Sequence, residues 1–283
     1  MRLYRYDIPP DAAQSTVAAW LARAMPLVPQ YVLRDALDKR DVKMNGVRVR
    51  RGDPVIPGAS IEVYTPYSPV IPVVYEDARI LLIDKPAGLS AEDDGRGGMT
   101  ALSVLTERAG DAYRPRLCHR LDNQTCGLML LAKDDESEAL LLTAFKERTL
   151  DKRYIALVRG EMRPPADLRE AYLIKDAENA RVRVVSHPTP GAKPIATRYE
   201  TLSYHDGVSR VEVELLTGRT HQIRAHMASM AHPIIGDDVY GDRAFNRRLK
   251  APRLMLCAVK LTLCAGGALQ YLDGRTFEIP PPF

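Results

Sequence analysis

Apolar and basic residues alternate through Val42-Lys43-Met44-Asn45-Gly46-Val47-Arg48-Val49-Arg50. The central Asn-Gly pair is the strongest short-range signal for a tight primed turn. The pattern predicts a hairpin with one apolar and one cationic face. Upstream, residues 14–25 are rich in helix formers, with Ser15 or Thr16 placed to cap a helix and Pro26 to stop it. A second helix is predicted over residues 30–38, with Tyr31, Leu33, Ala36 and Leu37 near one side and Arg34 and Lys39 toward another. A closing strand follows at 60–64. Residues 66–72 include three prolines and no charge, the signature of an extended connector. Beyond it, strands are predicted at 80–84, 127–132, 154–159, 181–185, 196–203, 209–216 and 254–264, and helices at 101–108, 137–148 and 221–230. The strands are grouped instead of alternating strictly with helices. That favours an α+β fold with a mixed, mostly antiparallel central sheet over a doubly wound parallel one. The expected organisation is a small α+β module over 1–65, a linker over 66–72 and a larger domain over 73–283.

Composition agrees with two domains: 283 residues, 46% of them hydrophobic, suffice for one large core and one small one. The net charge of +4 gives only mild attraction to polyanions, but its distribution is uneven. Residues 1–65 carry ten Lys and Arg against seven Asp and Glu, whereas the remainder carries thirty against twenty-nine. Lys43, Arg48, Arg50 and Arg51 therefore form a single-signed cluster where the positive excess lies. A solvated sheet face is the plain alternative, but the coincidence favours a nucleic-acid contact. A second basic stretch, 243–253, holds Arg243, Arg247, Arg248, Lys250 and Arg253 around Phe245 with no acid, and reads equally as a solvated loop or a further contact. Cys118, Cys126, Cys257 and Cys264 show no CxxC pairing, and neither a signal peptide nor a bilayer-spanning apolar run is present. A reducing cytoplasm is expected. No metal site is expected: Cys118, His119 and Cys126 lack paired ligand spacings, and His221 and His226 lack the HExxH pattern, so these histidines read as structural or RNA-contacting.

The densest chemistry lies in HRLDNQTCGLMLLAK, residues 119–133. A polar cluster runs through Thr125 and Gly127 into an apolar strand, which places Asp122 in a loop at a strand's edge, where reacting groups tend to reside. From spacing alone, Asp122 could equally pair Arg120 or cap a turn. The segment resembles the signature of the RluA-type pseudouridine synthases, commonly HRLDxxTSGLLLLAK. Three further stretches resemble the same family in order: Lys85-Pro86-Ala87-Gly88, KRYIALVRG at 152–160, and TGRTHQIRAHM at 217–227 continuing into HPIIGDDVYG at 232–241. The likeness spans about residues 73–283. Residues 12–65 resemble the αL RNA-binding module of a small-subunit ribosomal protein and several RNA-modifying enzymes. Two positions depart from the pattern: Cys126 stands for the usual serine, and Gln124 where a charged residue is common.

The resemblance implies an isomerase of uridine in structured RNA, with large-subunit ribosomal RNA expected as substrate and transfer RNA second. The reaction moves the sugar from a ring nitrogen to carbon 5 without redox change, so no cofactor and no metal are expected. Asp122 is the implied essential residue, either attacking the nucleotide or removing a sugar proton. Tyr154 is the implied stacking partner of the target base, with help in removing the carbon 5 proton, and Arg224 the implied partner of Asp122, with Arg219 the local competitor. His119, Arg120, Arg219, His221 and Lys85 are expected to bind substrate, and Arg34, Lys39, Lys43, Arg48, Arg50 and Arg51 to bind RNA. A monomer is expected. A catalytically silent RNA-binding protein would be free to lose Asp122, Tyr154 or Arg224, and all three are present. A zinc-dependent base deaminase would need H-x-E and P-C-x-x-C, which are missing.

Overall fold

The computed structural model describes residues 1–176 and 181–283, which form two compact units: Met1–Pro72 with Gly88–Arg114, and Val73–Ala87 with Pro115–Phe283. The first unit contains β1 (Arg2–Asp7), α1 (Val17–Ala24), α2 (Gln30–Asp38), β2 (Val42–Met44), β3 (Val47–Arg48), β4 (Ser60–Thr65) and α3 (Ala101–Ala109). Its strands form a sheet in the order β1-β4-β2-β3. Asn45 and Gly46 both take positive φ, 49° and 78°, so the primed turn predicted from Asn-Gly is present. Thr16 caps α1 by accepting the Ala19 N–H at 3.3 Å, and Val17, Trp20, Leu21 and Ala24 are buried. Tyr31 departs from the expected apolar side of α2 and is 71% exposed, while Leu33, Ala36 and Leu37 are buried. Strand β1 gave no apolar alternation in RLYRYD because only Tyr4 of its side chains is buried.

The expected boundary needs a correction. Residues 88–114, assigned by linear order to the larger domain, cluster with the first unit. Met99 N–H donates to the Ala24 carbonyl at 2.6 Å, and Gly98, at φ +108°, lies so close that a Cβ there would be 2.5 Å from the same oxygen. Only glycine combines that backbone conformation with that approach.

The second unit is built on an eleven-stranded sheet of β5 (Val73–Glu76), β6 (Ile80–Lys85), β7 (Arg116–Leu117), β8 (Cys126–Ala132), β9 (Asp151–Arg159), β10 (Ala166–Asp176), β11 (Arg181–Val185), β12 (Lys193–His205), β13 (Val208–Leu215), β14 (Leu256–Thr262) and β15 (Thr276–Glu278). The order is β11-β10-β12-β13-β9-β14-β8-β6-β5, with β15 on β14 and β7 on β8. Among the described residues every pairing is antiparallel except β8 with β14, so the fold is α+β with a mixed, mostly antiparallel sheet. All seven residues of β8 are buried, as an uninterrupted apolar run in a sheet's interior requires. Helix α4 (Asp135–Glu147) contributes Leu141 and Ala144 to a core with Ile80, Leu82, Leu128, Leu130 and Leu261. Each large aliphatic side chain so buried contributes about 1.5–3 kcal/mol as an upper value. Helices α5 (Gln222–Ser229) and α6 (Arg243–Arg248) and a 3-10 turn over Gly267–Leu272 also belong to the unit. Strand β10 was not predicted because one side chain of its eleven, Leu173, is fully buried, so no alternation marks it.

Candidate active site

One lateral row of the sheet brings three of the four sequence motifs together. Val213 pairs Tyr154, Tyr154 pairs Ala258, Ala258 pairs Gly127, and Gly127 pairs Lys85. With strands about 4.8 Å apart, Tyr154 and the start of β8 are separated by one intervening strand. Gly127 makes the parallel contact possible: at φ +110°, a Cβ there would lie 2.2 Å from the Ala258 carbonyl oxygen. The Asp122 loop ends at this fixed point. Thr125 N–H donates to the Asp122 carbonyl at 3.0 Å, closing a turn. Lys85, fully buried, donates from Nζ to the carbonyls of Pro86 at 2.9 Å and Asn123 at 3.1 Å. Burial pushes its pKa down to about 8, against the charges of Asp122 and Asp84. Lys85 thus ties the end of β6 to the Asp122 loop.

The Asp122 side chain is 24% exposed, with Arg224 Nη1 3.7 Å and His221 Nε2 3.9 Å from Oδ2. Both distances exceed a hydrogen bond, so the carboxylate is steered by charge without being captured. The expected bidentate fork of Arg224 falls on another residue. Nε donates to Asp237 Oδ2 at 2.7 Å and Nη2 to Oδ1 at 2.9 Å, with Asp238 Oδ1 at 3.4 Å. The reason is burial: the Arg224 side chain is 4% exposed and that of Asp237 0%, and a charge taken so far from water needs a matched partner. Burial alone would lower the Arg224 pKa and raise that of Asp237. Their mutual hydrogen bonds and charges outweigh it, so Arg224 is raised and Asp237 lowered. Asp237 also accepts the N–H groups of Val239 at 2.8 Å and Tyr240 at 2.9 Å. Arg224 lies over the Tyr240 ring at 5.4 Å.

His221 precedes α5 in the left-handed conformation, φ 53° and ψ 20°. For a non-glycine residue this costs about 1–2 kcal/mol. The conformation directs the imidazole to Tyr240, whose hydroxyl is 3.1 Å from Nδ1, and to Asp122. Burial lowers the His221 pKa, opposed by Asp122 and assisted by Arg224. Buried Gln222 secures the approach to α5: its Oε1 accepts from Thr217 Oγ1 at 2.8 Å and Arg219 N–H at 3.1 Å, while Nε2 donates to Ala196 O and Thr197 Oγ1, each at 3.1 Å.

The other expected site residues range from buried to exposed. Tyr154 is buried on β9, and burial, then the charge of Asp122, raises its pKa, so the phenol stays protonated. His119 supports the sheet: Nε2 accepts the Leu130 N–H at 2.9 Å and the ring stacks on Phe145 at 4.4 Å between centroids. Desolvation pushes its pKa down to about 3. Arg120 and Arg219 are exposed, and Arg219 forms no ion pair with Asp122. Buried His226 reaches Thr197 Oγ1 at 2.9 Å, a structural role. Cys126 donates weakly to the Leu256 carbonyl at 3.6 Å, so the thiol serves the strand junction. Among the described residues no His, Cys, Asp and Glu cluster is arranged for a metal ion.

In the first unit, Arg34, Arg48, Arg50 and Arg51 are exposed. Lys39 pairs Asp35 at 2.8 Å, and Lys43 stands opposite Glu62 and 5.3 Å above the Tyr64 ring. The cationic face of the hairpin is therefore partly neutralised. The sequence reading missed Asp237, Tyr240 and Gln222 as site-building residues, although all three lie inside motifs it had singled out.

Comparison with known proteins agrees with this assembly. The family profile described as RNA pseudouridylate synthase matches residues 79–229. A Vibrio cholerae protein named ribosomal large subunit pseudouridine synthase C is 33% identical over 259 residues, covering 85% of this chain and 81% of its own. The Escherichia coli K12 protein named dual-specificity RNA pseudouridine synthase RluA is 35% identical over 219 residues, 77% of this chain and 96% of its own. The solved structure of human RNA pseudouridylate synthase domain containing 1 superposes with a TM-score of 0.61 at 26% identity, covering 78% of this chain and 86% of that one. Four motifs in order, three of them aligned by one sheet, and these likenesses together make the chain a member of the RluA-type RNA pseudouridine synthases, enzymes that isomerise uridine to pseudouridine.

Proposed function

We propose that this enzyme modifies uridines of large-subunit ribosomal RNA, with Asp122 acting on the nucleotide. The observation that carries the reading is the Asp122 carboxylate, 24% exposed at the loop rim, with the Arg224 guanidinium 3.7 Å away and itself locked to Asp237. In the reaction the bond from C1′ to N1 breaks and C1′ bonds C5; the C5 proton leaves and N1 gains one, so no electrons are exchanged. Asp122 serves either by bonding the nucleotide covalently or by taking a sugar proton, and both roles need it ionised. A flipped base closing over the loop desolvates the carboxylate and opposes ionisation. The fixed positive charge of Arg224 offsets that cost because Asp237 keeps the guanidinium in place. Tyr154, kept as a neutral phenol, packs against the base and donates a hydrogen bond instead of acting as a ready base. Arg34, Arg48, Arg50 and Arg51 of the first unit hold phosphates, with a smaller share for the neutralised Lys39 and Lys43.

The name of the Vibrio cholerae relative supports large-subunit ribosomal RNA. The dual-specificity name of the Escherichia coli relative favours a second RNA class, for which transfer RNA is the reading. The test maps pseudouridines in ribosomal and transfer RNA from cells lacking the gene, complemented by wild type or Asp122→Asn. Sites in large-subunit RNA should vanish on deletion and return only with wild type. Unchanged RNA, or full restoration by Asp122→Asn, would overturn the reading.

A further inference from the structure

The basic stretch around α6 remains unused by the site described above. Helix α6 has no buried residue, and Arg243, Arg247, Arg248, Lys250 and Arg253 are all exposed. None of these five forms an ion pair among the described residues. Elsewhere in the same unit three exposed arginines are neutralised, Arg163 by Glu161 at 2.6 Å, Arg169 by Asp167 at 2.8 Å and Arg198 by Glu214 at 2.7 Å, while the exposed Arg148, Arg183, Arg219 and Arg275 without ion pairs are scattered singly along the chain. In a stretch of chain where cations and acids are nearly balanced, thirty against twenty-nine after residue 65, five unpaired cations are a concentrated local surplus.

The patch is tied by hydrogen bonds to the segment that carries Asp237. Asn246 Oδ1 accepts the Gly236 N–H at 2.9 Å, and its Nδ2 donates to the Asp237 carbonyl at 3.2 Å. One residue of α6 thus holds the segment that supplies the partner of Arg224. Asp242 caps the helix by accepting the Phe245 N–H at 2.9 Å and is paired with Arg159, so its charge is already engaged. Phe245 carries the Arg248 guanidinium 4.6 Å above its ring, orienting the fork before any ligand arrives.

The helix end is more telling. Ala251 N–H returns to the Asn246 carbonyl at 3.0 Å, and Lys250 between them is left-handed at φ 50°. This is the terminating geometry in which glycine is the favoured residue. A lysine here strains the backbone while projecting a cation from the turn, which is the kind of local outlier that points to use.

We infer that α6 and its closing turn bind the phosphodiester backbone of the RNA substrate, beside the loop that carries Asp237. The inference deepens the proposed function and rests on that reading. Arg247, Arg248 and Lys250 are the principal contacts. The helix holds the flank of the RNA while the Asp122 loop receives one nucleotide, so binding is sequence-independent and salt-sensitive.

The test uses full-length protein and unmodified large-subunit ribosomal RNA transcribed in vitro, with affinity measured between about 0.1 and 1 M KCl. The triple variant Arg247→Gln/Arg248→Gln/Lys250→Gly should flatten the plot of log affinity against log salt by about two, equivalent to about 100-fold weaker binding at the low-salt end if the curves meet at the high-salt end. The control Arg163→Gln/Arg169→Gln/Arg198→Gln removes the same formal charge from paired positions and should leave the slope unchanged. Lys250→Gly alone should raise the melting temperature while reducing the slope, a combination that a merely structural lysine would not produce. A wild-type slope in the triple variant, or an equal loss in the control, overturns the inference. Pseudouridine formation by wild type on the same transcript separates the two proposals. Conversion with an unchanged slope sinks the α6 contact alone, whereas a reduced slope without conversion sinks the assigned substrate and keeps the contact.

Discussion

Replacing Asp237 with asparagine tests whether Arg224 works through a buried anchor. The substitution keeps the size of the side chain and an oxygen able to accept the Val239 and Tyr240 N–H groups, but removes the charge and one of the two short hydrogen bonds from Arg224. The guanidinium, 4% exposed, is left with Asp238 at 3.4 Å and Asp122 at 3.7 Å. Breaking one side of a buried pair costs about 3–5 kcal/mol because the surviving charge stays desolvated. The retained amide places Asp237→Asn near the lower value, about 3 kcal/mol, which for a unit of this size is a fall in melting temperature of about 6–12 °C. Released from its anchor, Arg224 closes on Asp122 and captures the carboxylate that the native geometry leaves open. The activity should therefore fall mainly in kcat, read by single-turnover pseudouridine formation at saturating RNA. The double variant Asp237→Asn/Arg224→Met removes the stranded charge and should recover stability relative to the single variant without recovering activity. A single variant within about 0.5 kcal/mol of wild type by chemical denaturation, or a double variant less stable than the single, would refute the reasoning.

Two further outcomes follow from the same geometry. Gly127→Ala would place a Cβ 2.2 Å from the Ala258 oxygen at a φ of +110°, and should cost at least about 3 kcal/mol or abolish soluble expression, checked by denaturation of whatever protein is recovered. Lys85, whose folded pKa is pushed down to about 8 from an ordinary 10.5, is bound by fewer protons in the folded than in the unfolded state between those values, so stability should rise with pH across that window. The rise should be absent in Lys85→Met, measured by denaturant titration at several pH values.

The legible part of this molecule was the part written in contiguous segments. Asn45-Gly46 forces a primed turn by local backbone preference, and the uninterrupted apolar run of β8 marks a central strand whatever surrounds it. The motifs around Asp122, Tyr154 and Arg224 pointed to residues on three different elements, a loop, strand β9 and helix α5, and Arg224 lies 3.7 Å from Asp122. What remained hidden depends on distance along the chain or on neutralisation by neighbours. Nothing local to Asp237 shows that Arg224 will turn its fork there instead of to Asp122, because that choice follows from which carboxylate is buried. His119 stands in a catalytic motif, yet its nitrogen is used by the Leu130 N–H eleven residues later. Strands β1 and β10 escaped because they bury too few side chains to impose a period-two pattern.

The first unit borrows residues 88–114 from between two segments of the second. The polypeptide therefore passes from one unit to the other three times, after Pro72, Ala87 and Arg114. A truncation starting at Val73 would separate α3, with its buried Ala101, Val104 and Leu105, from the helices and sheet it is grouped with. A change that removes residues 1–72 must therefore also give residues 88–114 a new surface to pack on, so the two segments of the first unit are expected to change together.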